Sequence, residues 1–261
     1  MSFTLRISLV LTLAIACAPC GASEPAPSSS EVFGAWSYYN NMGWGAYYDH
    51  DLDLARDRFT HAVEYLRPYQ KEYPRLMSRS CHDLSRVLCE QGRYSDAEPL
   101  AKWVVEAREH DPRTRDDVMF DSVYLLAVVY RRLDRDPALV VPPLRKAVAI
   151  EEKHLGPRDV RLAWTLRELA DAEAQSGAIA AADEHYRLAI EIHQNDAKNL
   201  DLADALAGRA DVLAKLGRSD DAAAASREAE AILAGTEGTP RPFDHLSTTL
   251  AARLTRPQRG R

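Results

Sequence analysis

The sequence predicts an all-α chain folded as an α-solenoid of about five helix-turn-helix repeats, closed by a short capping helix at its C-terminal end. Three observations carry this. Alanine, leucine, arginine and glutamate dominate and only 12 of 261 residues are glycine, a composition that favours helices over sheets. Three of those glycines, Gly92, Gly177 and Gly217, each stand five residues before an alanine: Ala97, Ala182 and Ala222. A glycine ends a helix without strain in the left-handed conformation, and a small residue early in the next helix lets the two backbones approach. The third observation is a periodic frame of small and bulky residues that runs through the chain.

The N-terminal segment, residues 1–22, reads as an export signal. Met1 to Arg6 carries one positive charge, and Ile7 to Ala16 is an apolar run of ten residues. That is too short to span a bilayer as a permanent helix but suits a secretory signal. Two cleavage readings stand. Leu13-Ala14-Ile15-Ala16-Cys17 resembles a bacterial lipobox, with cleavage before Cys17 and lipidation of that cysteine. Cys20-Gly21-Ala22 instead offers small residues for ordinary cleavage before Ser23. Residues 23–30 are polar and rich in proline and serine, the composition of a tether. The chain is therefore expected to be exported, either to the periplasmic side of an outer membrane as a lipoprotein or as a soluble periplasmic or secreted protein.

Residues 31–238 carry the repeats. One unit aligns Gly43, Ala55, Phe59 and Ala62, and the next aligns Ser85, Ala97, Ala101 and Val104. Then come Ala127 with Leu139 or Val140, Leu144 and Ala147; Ala170, Ala182, Tyr186 and Ala189; and Ala210, Ala222, Ser226 and Ala229. The first members step by 42, 42, 43 and 40 residues. The first helices place Tyr39, Met42 and Ala46 on one face, then Leu84 and Leu88, then Val123, Leu126 and Tyr130, then Leu166 and Leu169, then Leu206 and Leu213. One hairpin cannot bury such stripes alone, so neighbouring units must stack. Ser95 or Asp96 is expected to cap the helix after Gly92. In the third unit Asp134 stands at the turn-glycine position, and Pro137, Pro142 and Pro143 predict a helix that starts late or bends.

Gln91-Gly92-Arg93-Tyr94 through Ala97-Glu98-Pro99-Leu100, with Ala147 through Pro157, resembles the tetratricopeptide-repeat (TPR) family in its 42-residue, kinesin-light-chain-like form. The resemblance covers about Glu31 to Glu237 and implies a right-handed superhelix whose first helices line a concave, partner-binding groove. Groove positions expected from it are Asn40, Trp44 and Tyr47; Arg79, His82 and Arg86; Tyr124, Val128 and Arg131; Trp164, Arg167 and Asp171; and Asp204 and Asp211. The Lys/Asn carboxylate clamp of chaperone-binding relatives is not reproduced.

Residues 239–261 combine a capping helix and a basic tail. Phe243, Leu246, Leu250 and Leu254 share one helical face, and Arg256-Pro257 ends it. From Thr239 the chain holds five arginines and one aspartate, so the tail is about +4 and the remainder about −10.

Chemistry-bearing motifs are few. Asp49-His50-Asp51-Leu52-Asp53 superficially resembles a calcium loop, but Leu54 and Thr60 stand where its glycine and chelating glutamate belong. It reads as an acidic turn at a helix N-terminus. No Cys-x-x-Cys, His-Glu-x-x-His or glycine-rich phosphate loop occurs. Cys81 and Cys89, eight residues apart on one helix, are about 12 Å apart and beyond disulfide reach. No metal, cofactor or catalytic residue is expected. The net charge of −6 excludes general nucleic-acid binding. The expected function is a non-catalytic scaffold of the bacterial cell envelope that binds a protein or peptide, acidic by preference, and meets a membrane only through a lipid on Cys17. The alternatives are an envelope-assembly or hydrolytic enzyme with an unrecognised site, and a self-assembling structural module.

Overall fold

The structure, a computed structural model, describes residues 27–193 and 200–235. The expected export signal with Cys17, residues 23–26 of the expected tether, the expected capping helix and the basic tail lie outside the described residues; the end of the expected tether is instead the start of the first helix, with Ser28 as its N-cap and Ser29 and Ser30 in its first turn. Ten helices follow in five antiparallel pairs: α1 Ser29–Tyr48 with α2 Leu52–Leu66, α3 Pro74–Glu90 with α4 Tyr94–Glu109, α5 Asp116–Arg132 with α6 Pro137–Leu155, α7 Val160–Gln175 with α8 Ile179–His193, and α9 Leu200–Lys215 with α10 Ser219–Gly235. Each helix packs on the helices before and after it, and α1 and α3, α3 and α5, and α7 and α9 also touch. This is an all-α solenoid. No helix among the described residues is long and apolar enough to cross a membrane.

The small-residue frame is where the units meet. Ala55, Phe59, Ala62, Ala97, Leu144, Ala147, Ala182 and Ala189 are all buried. In the first unit a side chain on Gly43 would meet the Phe59 ring at 2.7 Å, so the α1–α2 crossing depends on there being none. Buried apolar residues form two clusters, one running from Val32 to Val129 and one from Ala101 to Ala229, which interleave along α4 and α5.

Five turns join the helices within pairs, and all share one geometry. His50, Gly92, Asp134, Gly177 and Gly217 have positive φ, between 51° and 87°. The residue after each donates its N–H to a carbonyl five residues back: Asp51 to Ala46, Arg93 to Leu88, Arg135 to Tyr130, Ala178 to Glu173 and Arg218 to Leu213. These bonds satisfy the carbonyls that a helix end leaves unpaired. Asp134 thus adopts the conformation that glycine holds elsewhere, and His50 supplies the same turn in the first unit.

Three local expectations are corrected. Neither Ser95 nor Asp96 caps α4; the helix begins at Tyr94 with Arg93 as N-cap and no side-chain cap, and Asp96 binds the Arg93 guanidinium at 2.8 Å. Helix α6 does not start late, because Asp136 caps it and Pro137 takes the first position, where a missing N–H costs nothing. Met42 is not core but exposed, whereas Leu84, Leu126 and Leu169, at the same frame position, are buried. No unit precedes α1 among the described residues to cover that side.

The calcium-like run is a turn. Asp51 is the N-cap of α2, accepting from Leu54 N–H at 3.0 Å. Cys81 and Cys89 are buried free thiols, both pushed up to about 12 by burial.

Candidate functional site

A cleft of about 620 Å³ opens between α1, α3 and the start of α5. Its walls are Trp44 and Tyr48 of α1, residues from Pro74 to Arg86 on α3, the end of α4 with the loop through Arg115, and Val118 and Asp121 of α5. Four of the expected groove residues, Trp44, Arg79, His82 and Arg86, line this one cleft.

The cleft is cationic. Six arginines line it, Arg75, Arg79, Arg86, Arg108, Arg113 and Arg115, against three aspartates, Asp83, Asp111 and Asp121. Four arginines are committed internally. Arg75 and Arg113 both bind Asp111, at 2.6 and 3.1 Å, and these contacts hold its carboxyl well below the usual range, the Arg75 bond most of all. Arg115 binds Asp117 at 2.6 Å. Arg108 is buried and donates to the Val118 carbonyl and the Ser122 hydroxyl at 3.1 and 2.6 Å; burial lowers its pKa.

Arg79 and Arg86 differ from these four. Neither has an ion-pair partner among the described residues. Each lies instead over a tryptophan: Arg79 over Trp36 at 5.6 Å, and Arg86 over Trp44 at 5.5 Å and over Tyr47 at 5.4 Å. The indoles are themselves fixed from α3. Trp36 Nε1 donates to Ser80 Oγ at 2.8 Å and Trp44 Nε1 to Asp83 Oδ2 at 3.1 Å. One device therefore occurs twice along the α1–α3 contact: an indole on α1 anchored by α3, with an α3 guanidinium laid over its face. Such stacking restrains the side chain and leaves its N–H edge available to an acceptor.

The cleft floor holds polar atoms with no hydrogen-bond partner, Arg86 Nη2, His82 Nε2 and Asp121 Oδ1. His82 Nδ1 lies 3.5 Å from Asp83 Oδ1. Burial raises the Asp121 pKa, while His82, Arg86 and Arg108 pull it back down.

The remaining expected groove residues are placed otherwise. Asn40 is buried in α1, its Oδ1 without a partner. Tyr47 is buried, its hydroxyl donating to Glu90, and its pKa rises to about 12, chiefly through burial. Tyr124 and Trp164 are buried against each other, ring centroids 5.3 Å apart. Arg131 pairs with Glu168. Arg167 binds Glu168 at 2.8 Å and Asp171 at 2.9 Å, and Asp171 also accepts from the Tyr186 hydroxyl. Val128 and Asp204 are half-buried and Asp211 is exposed. The structure thus gathers four of the six expected residues of the first two units, Trp44, Arg79, His82 and Arg86, into one cleft and ties Tyr124, Arg131, Trp164, Arg167 and Asp171 of the third and fourth into packing and ion pairs.

Sequence reasoning did not single out Trp36, Asp83, Arg108 or Asp121. The frame held a signal for Arg108. Leu66, Arg108, Glu151 and His193 occupy one position of successive units, and all four are buried.

By sequence, no protein-family profile and no curated protein matches the chain. By structure, it is similar to several solved repeat proteins. The Podosopora anserina protein of nearly identical kinesin-light-chain TPR-like repeats superposes with a TM-score of 0.58 at 18% identity, over 80% of this chain and 98% of that one. YrrB, a TPR protein with an unusual peptide-binding site, gives 0.57 at 18%, over 83% of this chain and 89% of that one. MamA gives 0.57 at 16%, over 79% and 96%. At these identities the likeness concerns architecture, and on that ground the chain has the fold of the TPR-like repeat proteins.

Proposed function

We propose that the chain is a non-catalytic interaction scaffold that binds an acidic segment of another protein or peptide in the cleft between α1, α3 and α5. The observation that carries this reading is the pair of arginines, Arg79 and Arg86, held on indole faces with no carboxylate of their own. A restrained, unpaired guanidinium offers bidentate hydrogen bonds to an incoming carboxylate, and little side-chain freedom is lost when it binds. Arginines and aromatic residues are also the usual anchors of interfaces. The peptide-binding described for YrrB agrees with this use of the fold.

The scaffold works outside the cytoplasm in this reading, tethered by a lipid on Cys17 or released after cleavage before Ser23. Intact mass of protein from the membranes of a bacterial host tests that part. A chain starting at Cys17 with added lipid is expected for the tethered form, and an unmodified chain starting near Ser23 for the free form. Binding is tested by titrating a fluorescent glutamate-rich peptide into the protein and into the Arg79→Glu, Arg86→Glu double variant. Saturable binding to the first and its loss in the second is the expected result; equal affinities for both would remove the reading.

A further inference from the structure

At its N-terminal end the described array keeps a stacking face with nothing stacked on it. In every later unit the first helix packs on the second helix of the unit before: α3 on α2, α5 on α4, α7 on α6 and α9 on α8. The frame successors of Gly45 are Val87, Val129, Ala172 and Val212, and all four are buried. Gly45 itself is exposed, and so are Gly34, Tyr38, Asn41 and Tyr48. These five residues recur at spacings of four, three, four and three, so they form one seam along α1. Phe33 and Met42 flank the seam and are 54% and 42% exposed. No charged residue stands between Glu31 and Asp49.

Two glycines of the seam have no use within the chain. A glycine inside a helix weakens it relative to alanine. Gly43 and Gly208 are needed, because a side chain on either would strike Phe59 or Tyr186, at 2.7 and 2.5 Å. A side chain on Gly34 or Gly45 would meet no described atom beyond its own helix within 4 Å.

The acidic-segment reading does not involve this face. We propose that it is an interface with a second copy of the chain, in which two α1 helices pack antiparallel about a two-fold axis at Asn41. Gly34 and Tyr48 each lie seven residues from Asn41, and Tyr38 and Gly45 lie three and four. Reversing one helix about Asn41 therefore brings its Tyr48 to the level of the other's Gly34, and its Tyr38 to within about 1.5 Å of the level of the other's Gly45. Each large residue of the seam then faces a small one in both halves, as a self-complementary contact requires. The two Asn41 carboxamides meet on the axis, where each can donate to and accept from the other. A parallel pair would set tyrosine against tyrosine and glycine against glycine.

Charge favours the same occupant. Outside its basic tail the chain is about −10, so two copies approach at least cost through a face that carries no charge. A membrane surface fits less well, since helices that lie on bilayers hold lysine or arginine beside their apolar face and Val32 to Tyr48 has neither. Helix α1 has 20 residues, so it is about 30 Å long and 10–12 Å across; burying its outer half in each copy hides about 1,000 Å² in total, the lower bound for a specific interface. The dimer is accordingly weak. Tyr48 also stands on the rim of the cleft, so the test relies on the other seam residues.

Sedimentation velocity of the full chain over a hundredfold range of concentration should show a monomer–dimer equilibrium. Gly34→Leu and Gly45→Leu fill the holes and should each weaken dimerisation about tenfold or more. The same variants should raise the melting temperature of the dilute monomer, because leucine favours helix over glycine. Tyr38→Ser reads the same contact if a leucine variant misfolds. Leu139→Glu, a charge on an exposed apolar residue of α6, should change nothing. With Cys17→Ser and Cys20→Ser in place, Asn41→Cys should cross-link two copies on mild oxidation, and Gly34→Cys, about 21 Å from its counterpart, should not. A monomer at every concentration, or a dimer indifferent to both leucine variants, overturns the proposal. Cross-linking at both positions overturns the antiparallel arrangement. A monomer that co-sediments with vesicles of phosphatidylethanolamine and phosphatidylglycerol overturns the proposal in favour of a lipid surface.

Discussion

Arg86 on α3 spreads over two aromatic rings and has no carboxylate in ion-pair reach. Arg131 on α5 is an equally plain groove arginine in the sequence, yet it is paired with Glu168 of the next unit. The same contrast runs through the molecule. Toward the N-terminus the first helices meet through tryptophan, tyrosine and stacked arginine, and charge is left over. Toward the C-terminus they meet through Arg131, Glu168, Arg167 and Asp171, and Tyr186 of α8 donates to Asp171. One repeat geometry thus holds its cations in two ways, stacked on rings in one region and paired with acids in the other.

The most direct way to break this contrast is by charge reversal. Arg79→Glu with Arg86→Glu should weaken acidic-peptide binding about 100-fold or more, since two charge-assisted contacts turn repulsive, and should leave helicity intact. Arg131→Glu with Arg167→Glu should do the reverse, lowering thermal stability with little change in affinity. Glu168→Ala should destabilise the fold by about 2 kcal/mol in denaturant titrations, less than for a fully buried pair because Arg131 is half exposed.

Alkaline pH separates the halves without mutation, because Cys81 and Cys89 both belong to the N-terminal cluster. Their folded pKa values of about 12 exceed the unfolded value of about 8.5. The unfolded chain therefore loses these protons first, and the stability they contribute is complete below that value and declines as pH rises toward 12. The slope is about 1.4 kcal/mol per pH unit for each thiol. Hydrogen exchange should show α3 loosening before α9 as pH rises from 8.5, and Cys81→Ala with Cys89→Ala should flatten that dependence. The smallest effect concerns the turns. Asp134→Gly relieves a left-handed residue and should add up to about 1 kcal/mol, while Gly92→Ala should cost about the same.

The repeat frame was legible because glycine turns and small crossing residues leave a fixed spacing. Turns made by other residues were less visible. Asp134 was found only by counting along the frame, and His50 was read as part of an acidic run although it takes the same left-handed conformation. The candidate site was half legible. Residue type and helical face picked out Arg79 and Arg86, and equally Arg131 and Arg167. What separates Arg131 is a carboxylate on another helix, Glu168 of α7, whose closeness depends on how units stack; Arg167 is separated by Glu168 and Asp171, one and four residues along its own helix. Trp36 escaped notice because the frame was built on small residues, and the value of an indole here lies in the arginine above it.

The cleft draws its walls from three successive units, α1, α3 with α4, and α5. Stacked repeats are joined only to their neighbours and unzip one by one from an end. A segment lodged across three of them would act as a splint, moving the fraying point inward and stiffening the bend of the array at one place. The distance between the two ends of the described array would then report whether the cleft is filled, and occupancy would be read out as curvature.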